Sequence, residues 1–257
     1  MSSLATATPS EVRQIIRNNQ WVKPTSGVAE GYTQGNLAIL PKALAYEFLL
    51  FCQRNPKPCP VLDVTDLGKP HLPLVAPEAD IRVDLPKYRV YRRGELVEEP
   101  TDITHLWTEN MVGFLLGCSF SFEKALMNAG VPVRHIEEDC NVPMYKTNIQ
   151  CHKAGRFEGP MVVSMRPIPE HQVVKAVEVT SQFPNVHGSP IHIGNPASIG
   201  IEDINRPDFG DAVPIRENEV PVFWACGVTP QAVAMQVKPE IMITHAPGHM
   251  FVTDRKE

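Results

Sequence analysis

Three stretches of the chain gather side chains that can move protons, hold an anion or act as a nucleophile. The first is Gly117-Cys118-Ser119-Phe120-Ser121-Phe122-Glu123. It sits where an apolar run gives way to a helical pattern, and a helix N-terminus offers unpaired N–H donors and a positive dipole end. Such a turn suits a substrate carboxylate or a developing oxyanion. Cys118 is a candidate nucleophile provided its thiol pKa is depressed there, and Ser119, Ser121 and Glu123 are candidate substrate contacts. The plainer alternative is a buried structural cysteine followed by capping serines. The second stretch, Asn185 to Pro196, holds His187, His192 and Asn195 in a loop dense in glycine and proline. The third, Thr244 to Asp254, holds His245, His249 and Asp254. Histidine titrates near neutral pH, so His187, His192 and His245, with Asp254, are the candidate acids and bases. A metal would need these loops to converge, and no pair has a zinc-protease spacing. No cofactor is therefore assigned, and a metal is left open.

Further polar candidates are Gln34 and Asn36 in an early glycine-rich segment, Asn148 and Thr229. Arg166 suits bidentate binding of a carboxylate, or equally a structural role bridging two lobes. His71, His105, His135, His152 and His171 read as ordinary surface or packing residues.

These residues need elements to position them. Val112–Leu116 and Val220–Trp224 are continuous apolar runs, the pattern of buried central strands. Ser121 and Thr229 then occupy apparent N-cap positions, with Pro230 as a first helical residue. The similarity extends to an internal repeat. Cys118–Met127 matches Cys226–Met235 at an offset of 108, and Met144–Asn148 matches Met250–Asp254 at 106. Upstream, Asp63-Val64-Thr65 resembles Glu178-Val179-Thr180, and Ala79–Asp84 resembles Ala197–Glu202 at 118. The expected fold is α/β (α+β): one catalytic domain over 1–257, with two pseudo-repeated strand–turn–helix–strand lobes at about 61–148 and 177–254. Mixed sheets and short helices are expected, each helix packing back on its own sheet. A helical segment over 10–18, capped by Ser10, precedes the lobes. Gly31–Asn36 reads as a loop, and a helix runs from Pro41 to Arg54. The expected site is a cleft between the two helix N-termini, roofed by the His187–Pro196 and His245–Asp254 loops.

The 257 residues, 43% hydrophobic, can bury a sizeable core, and 25 prolines spread along the chain suggest short strands with shaped loops. A net charge of −5 without a basic stripe argues against nucleic acid and for a small-molecule acid as partner. No apolar run is long enough to span a membrane and the start lacks a secretory pattern. Six cysteines without a C-x-x-C pair read as reduced thiols in the cytoplasm. A homo-oligomer is left open.

The chain resembles the D-glutamate cyclase family over nearly its whole length. The resemblance rests on Gly31–Pro41, Gly117–Glu123, Met144–Asn148, Val163–Pro167, His187–Gly194, Phe223–Gln231 and His245–Met250. It implies a hydro-lyase that converts D-glutamate to 5-oxo-D-proline and water, without assigning roles to residues. The alternatives are dehydration of a small hydroxy acid, or a two-lobed binding protein without catalysis.

Overall fold

In the computed structural model, which describes residues 4–256, an N-terminal helix precedes two antiparallel sheets that share their helices. Helix α1 (Pro9–Arg17) starts at Thr8, not Ser10. The Thr8 hydroxyl accepts from the Glu11 N–H while the Glu11 carboxylate accepts from the Thr8 N–H, a reciprocal capping box. The next element corrects a second expectation. Tyr32–Pro41 is a ten-residue strand, β1, not a loop. Its polar side chains mimic a loop in the sequence but lie within the sheet, where Asn36 Nδ2 donates to the Gly117 carbonyl at 2.8 Å. Pro41 ends the strand and stands before α2 (Lys42–Arg54).

The remaining elements are β2 (Val61–Val64), β3 (Tyr88–Arg92), β4 (Glu95–Glu98), β5 (Met111–Gly117), α3 (Phe120–Asn128), α4 (Arg134–Glu137), β6 (Met144–Gln150), β7 (Pro160–Pro169), α5 (Val173–Ser181), β8 (His192–Ile193), β9 (Glu219–Ala225), α6 (Val228–Val237), β10 (Met242–His245) and β11 (Phe251–Lys256). The first sheet has the order β2-β5-β1-β10-β3-β4, with β11 also on β1; the second runs β6-β7-β9-β8. The α+β class is as expected. The sheets are not mixed, because every pairing between the named strands is antiparallel.

Strands β5 and β9 are interior, as their apolar runs predict. The helices that follow them do not return to their own sheets. On α3, Phe122 and Leu126 pack with Ile168, Val222 and Trp224 of the second sheet. On α6, Val233 and Ala234 pack with Ala38, Phe48 and Phe114 around the first. Each sheet is thus covered by the other's helix, and the chain crosses over twice.

The strand registers follow the same exchange. Pro41 lies opposite Met111 on β1–β5, and Pro169 opposite Glu219 on β7–β9. Gly35 pairs with Phe251, and Val163 with Tyr145. From Met111 to Glu219 the shift is 108, and from Tyr145 to Phe251 it is 106, the offsets visible in the sequence. The equivalence reaches β1 and β7, outside the expected bounds. The upstream match of Asp63–Thr65 to Glu178–Thr180 joins strand β2 to helix α5 and is no structural equivalence.

The two strand-to-helix turns meet at close range. A methyl group on Gly227 would stand 2.0 Å from Asn36 Nδ2, although the Gly227 backbone, at φ −65°, tolerates any residue. Gly227→Ala therefore forces Asn36 off the Gly117 carbonyl. The expected cost is about 1–3 kcal/mol, a fall in Tm of about 2–10 °C. A melting curve superimposable on that of the parent would contradict this packing.

Candidate active site

The β5–α3 turn delivers Glu123 into a buried ionic cluster. Arg166, from the middle of β7, donates through Nη2 to Glu123 Oε1 at 2.5 Å and to Ser119 Oγ at 3.0 Å, and through Nη1 to Ser164 Oγ at 3.1 Å. Its guanidinium lies over both the Phe122 and the Trp224 ring, 5.2 and 5.4 Å from their centroids. Arg166 is fully buried and Glu123 is 2% exposed. On the other side of the carboxylate stands His135, the second residue of α4, with Nε2 3.1 Å from Glu123 Oε1. Burial pushes the Glu123 pKa up, but His135 and Arg166 outweigh it and hold the carboxyl below the usual range. Glu123 is accordingly a carboxylate at neutral pH and not a proton donor.

Glu123 and His135 open onto a cleft of about 740 Å³, which Trp21, Gln34, Phe120 and Asn141 also line. A much smaller space of about 20 Å³ adjoins it between the two helix N-termini, lined by Asn36, Cys118, Ser119, Cys226, Gly227 and His245. The expected convergence of the turns is real, but the room for a substrate lies beside it, on the Glu123 side.

Several expected site residues turn out to be structural. The Ser119 hydroxyl accepts from Arg166. The Ser121 hydroxyl accepts the Gln34 N–H at 3.2 Å, and Thr229 Oγ1 accepts the Val162 N–H at 2.9 Å. These two hydroxyls clamp strands, and the helices begin at Phe120 and Val228 without side-chain caps. The turn's N–H groups are used internally: Ser121 and Phe122 donate to the Cys118 and Ser119 carbonyls, and the Phe120 N–H meets the Cys118 sulfur. Burial pushes the Cys118 thiol far up, so no thiolate nucleophile forms. Arg166 lines neither cleft and is no carboxylate clamp; it bridges the helix of one sheet to a strand of the other.

The histidine loops do not converge. His187 is buried against the Lys57 carbonyl at 2.9 Å, behind the β5–α3 turn. His192 points Nε2 at the Asn195 carbonyl at 2.8 Å, while the exposed Asn195 side chain accepts from the Ala197 N–H. Asp254 is paired with Arg13 at 2.8 Å, and Asn148 is exposed on β6 beside Gly200. Among the described residues no three His, Cys, Asp or Glu side chains gather as metal ligands. Only the turn at Gly248, which lines both clefts, roofs the site as expected.

His135, set aside in the sequence as a packing residue, is the main addition. The repeat gives no sign of it, because at offsets of 108 and 106 its counterparts are Ile243 and Ile241. Gln231, 108 residues after Glu123, contacts His245 at 3.1 Å from Nε2 to Nδ1, much as Glu123 contacts His135. At the second turn the contact is a carboxamide with an imidazole from the end of β10, and carries no carboxylate.

A sequence model of the D-glutamate cyclase family matches residues 112–254. A "Putative hydro-lyase" of Geobacillus kaustophilus is 73% identical over 100% of this chain and 98% of its own. The chain belongs to the D-glutamate cyclase family. "Putative hydro-lyase YcsI" of Bacillus subtilis is 65% identical over 97% of each chain. Among solved structures, a nitrogen repressor-like protein from Methanococcus jannaschii covers 95% of this chain and 97% of its own at 11% identity and a TM-score of 0.39, too distant for an argument. The family match spans Glu123, His135 and Arg166 together, so the ionic cluster lies inside the family's own segment.

The buried histidines give the fold an acid limit. Burial lowers the His187 and His245 pKa values to about 4, from 6.5 in an open chain. Between those values the unfolded state binds protons that the folded state does not, so stability falls as pH falls. The slope is about 1.4 kcal/mol per pH unit for each histidine. Urea midpoints measured from pH 7 to pH 4.5 should drop over this window, and less steeply in His245→Asn. Midpoints unchanged below pH 6.5 would contradict the burial of both rings.

Proposed function

We propose that this protein is a hydro-lyase acting on a small amino or hydroxy acid in the Glu123 cleft. Its reaction in this reading is the dehydrative cyclisation of D-glutamate to 5-oxo-D-proline. The observation that carries the proposal is the Glu123–His135 pair, an imidazole held by an ionised carboxylate at the wall of the 740 Å³ cleft. Family membership and the names of the relatives support dehydration chemistry.

The proton inventory fits one imidazole. The substrate ammonium becomes a lactam N–H and gives up two protons. The side-chain carboxylate becomes the lactam carbonyl by losing one oxygen, which leaves with both protons as water. The N–C bond forms, a C–O bond breaks and charge balances without ATP. His135 takes a proton from the nitrogen, passes it to the departing oxygen, and repeats the transfer. Glu123 stays ionised and holds the ring in place. Arg166 acts through Glu123 and touches no substrate. The attack is intramolecular, so the cleft contributes by holding the chain bent. Free thiols at all six cysteines suit a reducing compartment, and we place the enzyme in the cytoplasm.

The test is NMR of purified protein with D-glutamate, L-glutamate and a panel of hydroxy acids. 5-Oxo-D-proline should appear, and Glu123→Gln and His135→Gln should each lower kcat/KM by about 100-fold or more. Cys118→Ser, His192→Ala and Asp254→Asn should stay within about threefold of the parent. An unsaturated acid formed from a hydroxy acid would replace the substrate and keep the site. Full activity in both Glu123→Gln and His135→Gln would move the site elsewhere.

A further inference from the structure

Buried polar atoms without partners mark where a ligand is expected, because each costs free energy while unpaired. Two of them belong to residues lining the large cleft: Trp21 Nε1 and Gln34 Oε1. They differ in what they can do. The indole N–H only donates. The Gln34 amide is fixed by its other end, since Nε2 donates to the Thr25 and Val28 carbonyls at 2.9 and 3.1 Å. Turning the amide over would set Oε1 against two carbonyl oxygens. Oε1 is therefore a fixed acceptor at a residue 95% buried. Its loop is held in turn: the Thr25 N–H donates to the Gly248 carbonyl at 2.8 Å, and Thr25 Oγ1 accepts from the Met250 N–H at 2.9 Å.

A permanent acceptor, a permanent donor and a proton carrier at residues lining one cleft are the complement of a nitrogen-bearing acid. We infer that Gln34 and Trp21 are the specificity residues of this site: Gln34 Oε1 accepts from the ligand's amine or lactam N–H, and Trp21 Nε1 donates to its carboxylate. The inference rests on the placement of the active site at Glu123 and His135, and it selects a lactam over the lactone of the same shape. A buried acceptor tolerates a nitrogen donor and is left unpaired by an oxygen that carries no hydrogen.

Two ring compounds isolate this one atom: 5-oxo-D-proline, and the γ-lactone of the same shape in which ring oxygen replaces N–H. Calorimetry on the full-length protein should show the lactam binding about tenfold or more tightly than the lactone. Gln34→Leu should reduce that ratio to about threefold or less. Trp21→Phe, which keeps the ring and removes the N–H, should weaken both compounds by a similar factor of about 5–10. The inference is overturned by parent protein that binds lactone as well as lactam, or by a ratio that survives in a Gln34→Leu protein melting like the parent. If Gln34→Leu does not fold, the parent ratio and Trp21→Phe decide. Turnover of another acid that depends on Glu123, with neither ring bound, would overturn the inference and leave the site's location standing.

Discussion

The contact on which the rest depends is the buried pair of Arg166 and Glu123. A guanidinium and a carboxylate removed from water are costly unless each finds charge and hydrogen bonds inside. Here the arginine has two serine hydroxyls, the carboxylate and two aromatic faces. The pair joins α3, which leaves the first sheet, to β7, which is central in the second. Removing either member strands a charge in the core, a loss of about 3–5 kcal/mol. The same arrangement fixes the Glu123 carboxylate as an anion beside His135. One interaction thus locks the crossover of the fold and sets the charge of the candidate site.

The crossover also makes the two strand-to-helix turns comparable. Both strand-to-helix turns place a thiol, a hydroxyl clamp and an acid or amide side chain in equivalent positions. At Glu123 the side chain is charged, balanced by Arg166 and open to a wide cleft. At Gln231 it is neutral and contacts His245, which borders only the small space between the turns. Burial keeps His245 neutral. Two turns of similar geometry thus differ in charge and in access: one carries an ionised pair beside a wide cleft, the other a neutral packed pair.

Much of this was legible in the sequence, and the failures have physical causes. The apolar runs before Cys118 and Cys226 marked interior strands because continuous hydrophobicity has few other uses in a short segment. Their similarity pointed to two facing turns, and Glu123 was among the residues named. Gly31–Asn36 read as a loop because it is polar and glycine-rich, and the partner of Asn36 is a carbonyl 81 residues away, which no local pattern reveals. The helix exchange was invisible for a related reason: periodicity shows which face of α3 is apolar, not which sheet receives it. His135 was missed because α4 is a single turn without a motif, and only tertiary packing brings it to Glu123. His192 and Asp254 attracted notice by composition, yet they serve an edge turn and a helix anchor.

The central claim is that substrate chemistry takes place at Glu123 and His135. A crystal structure of the protein soaked with 5-oxo-D-proline tests it most directly. The account predicts the ring in the large cleft, within hydrogen-bond reach of His135 and with its N–H toward Gln34 Oε1. A ring bound instead between the helix N-termini beside Asn36 and His245, or on the His192 loop, would contradict it.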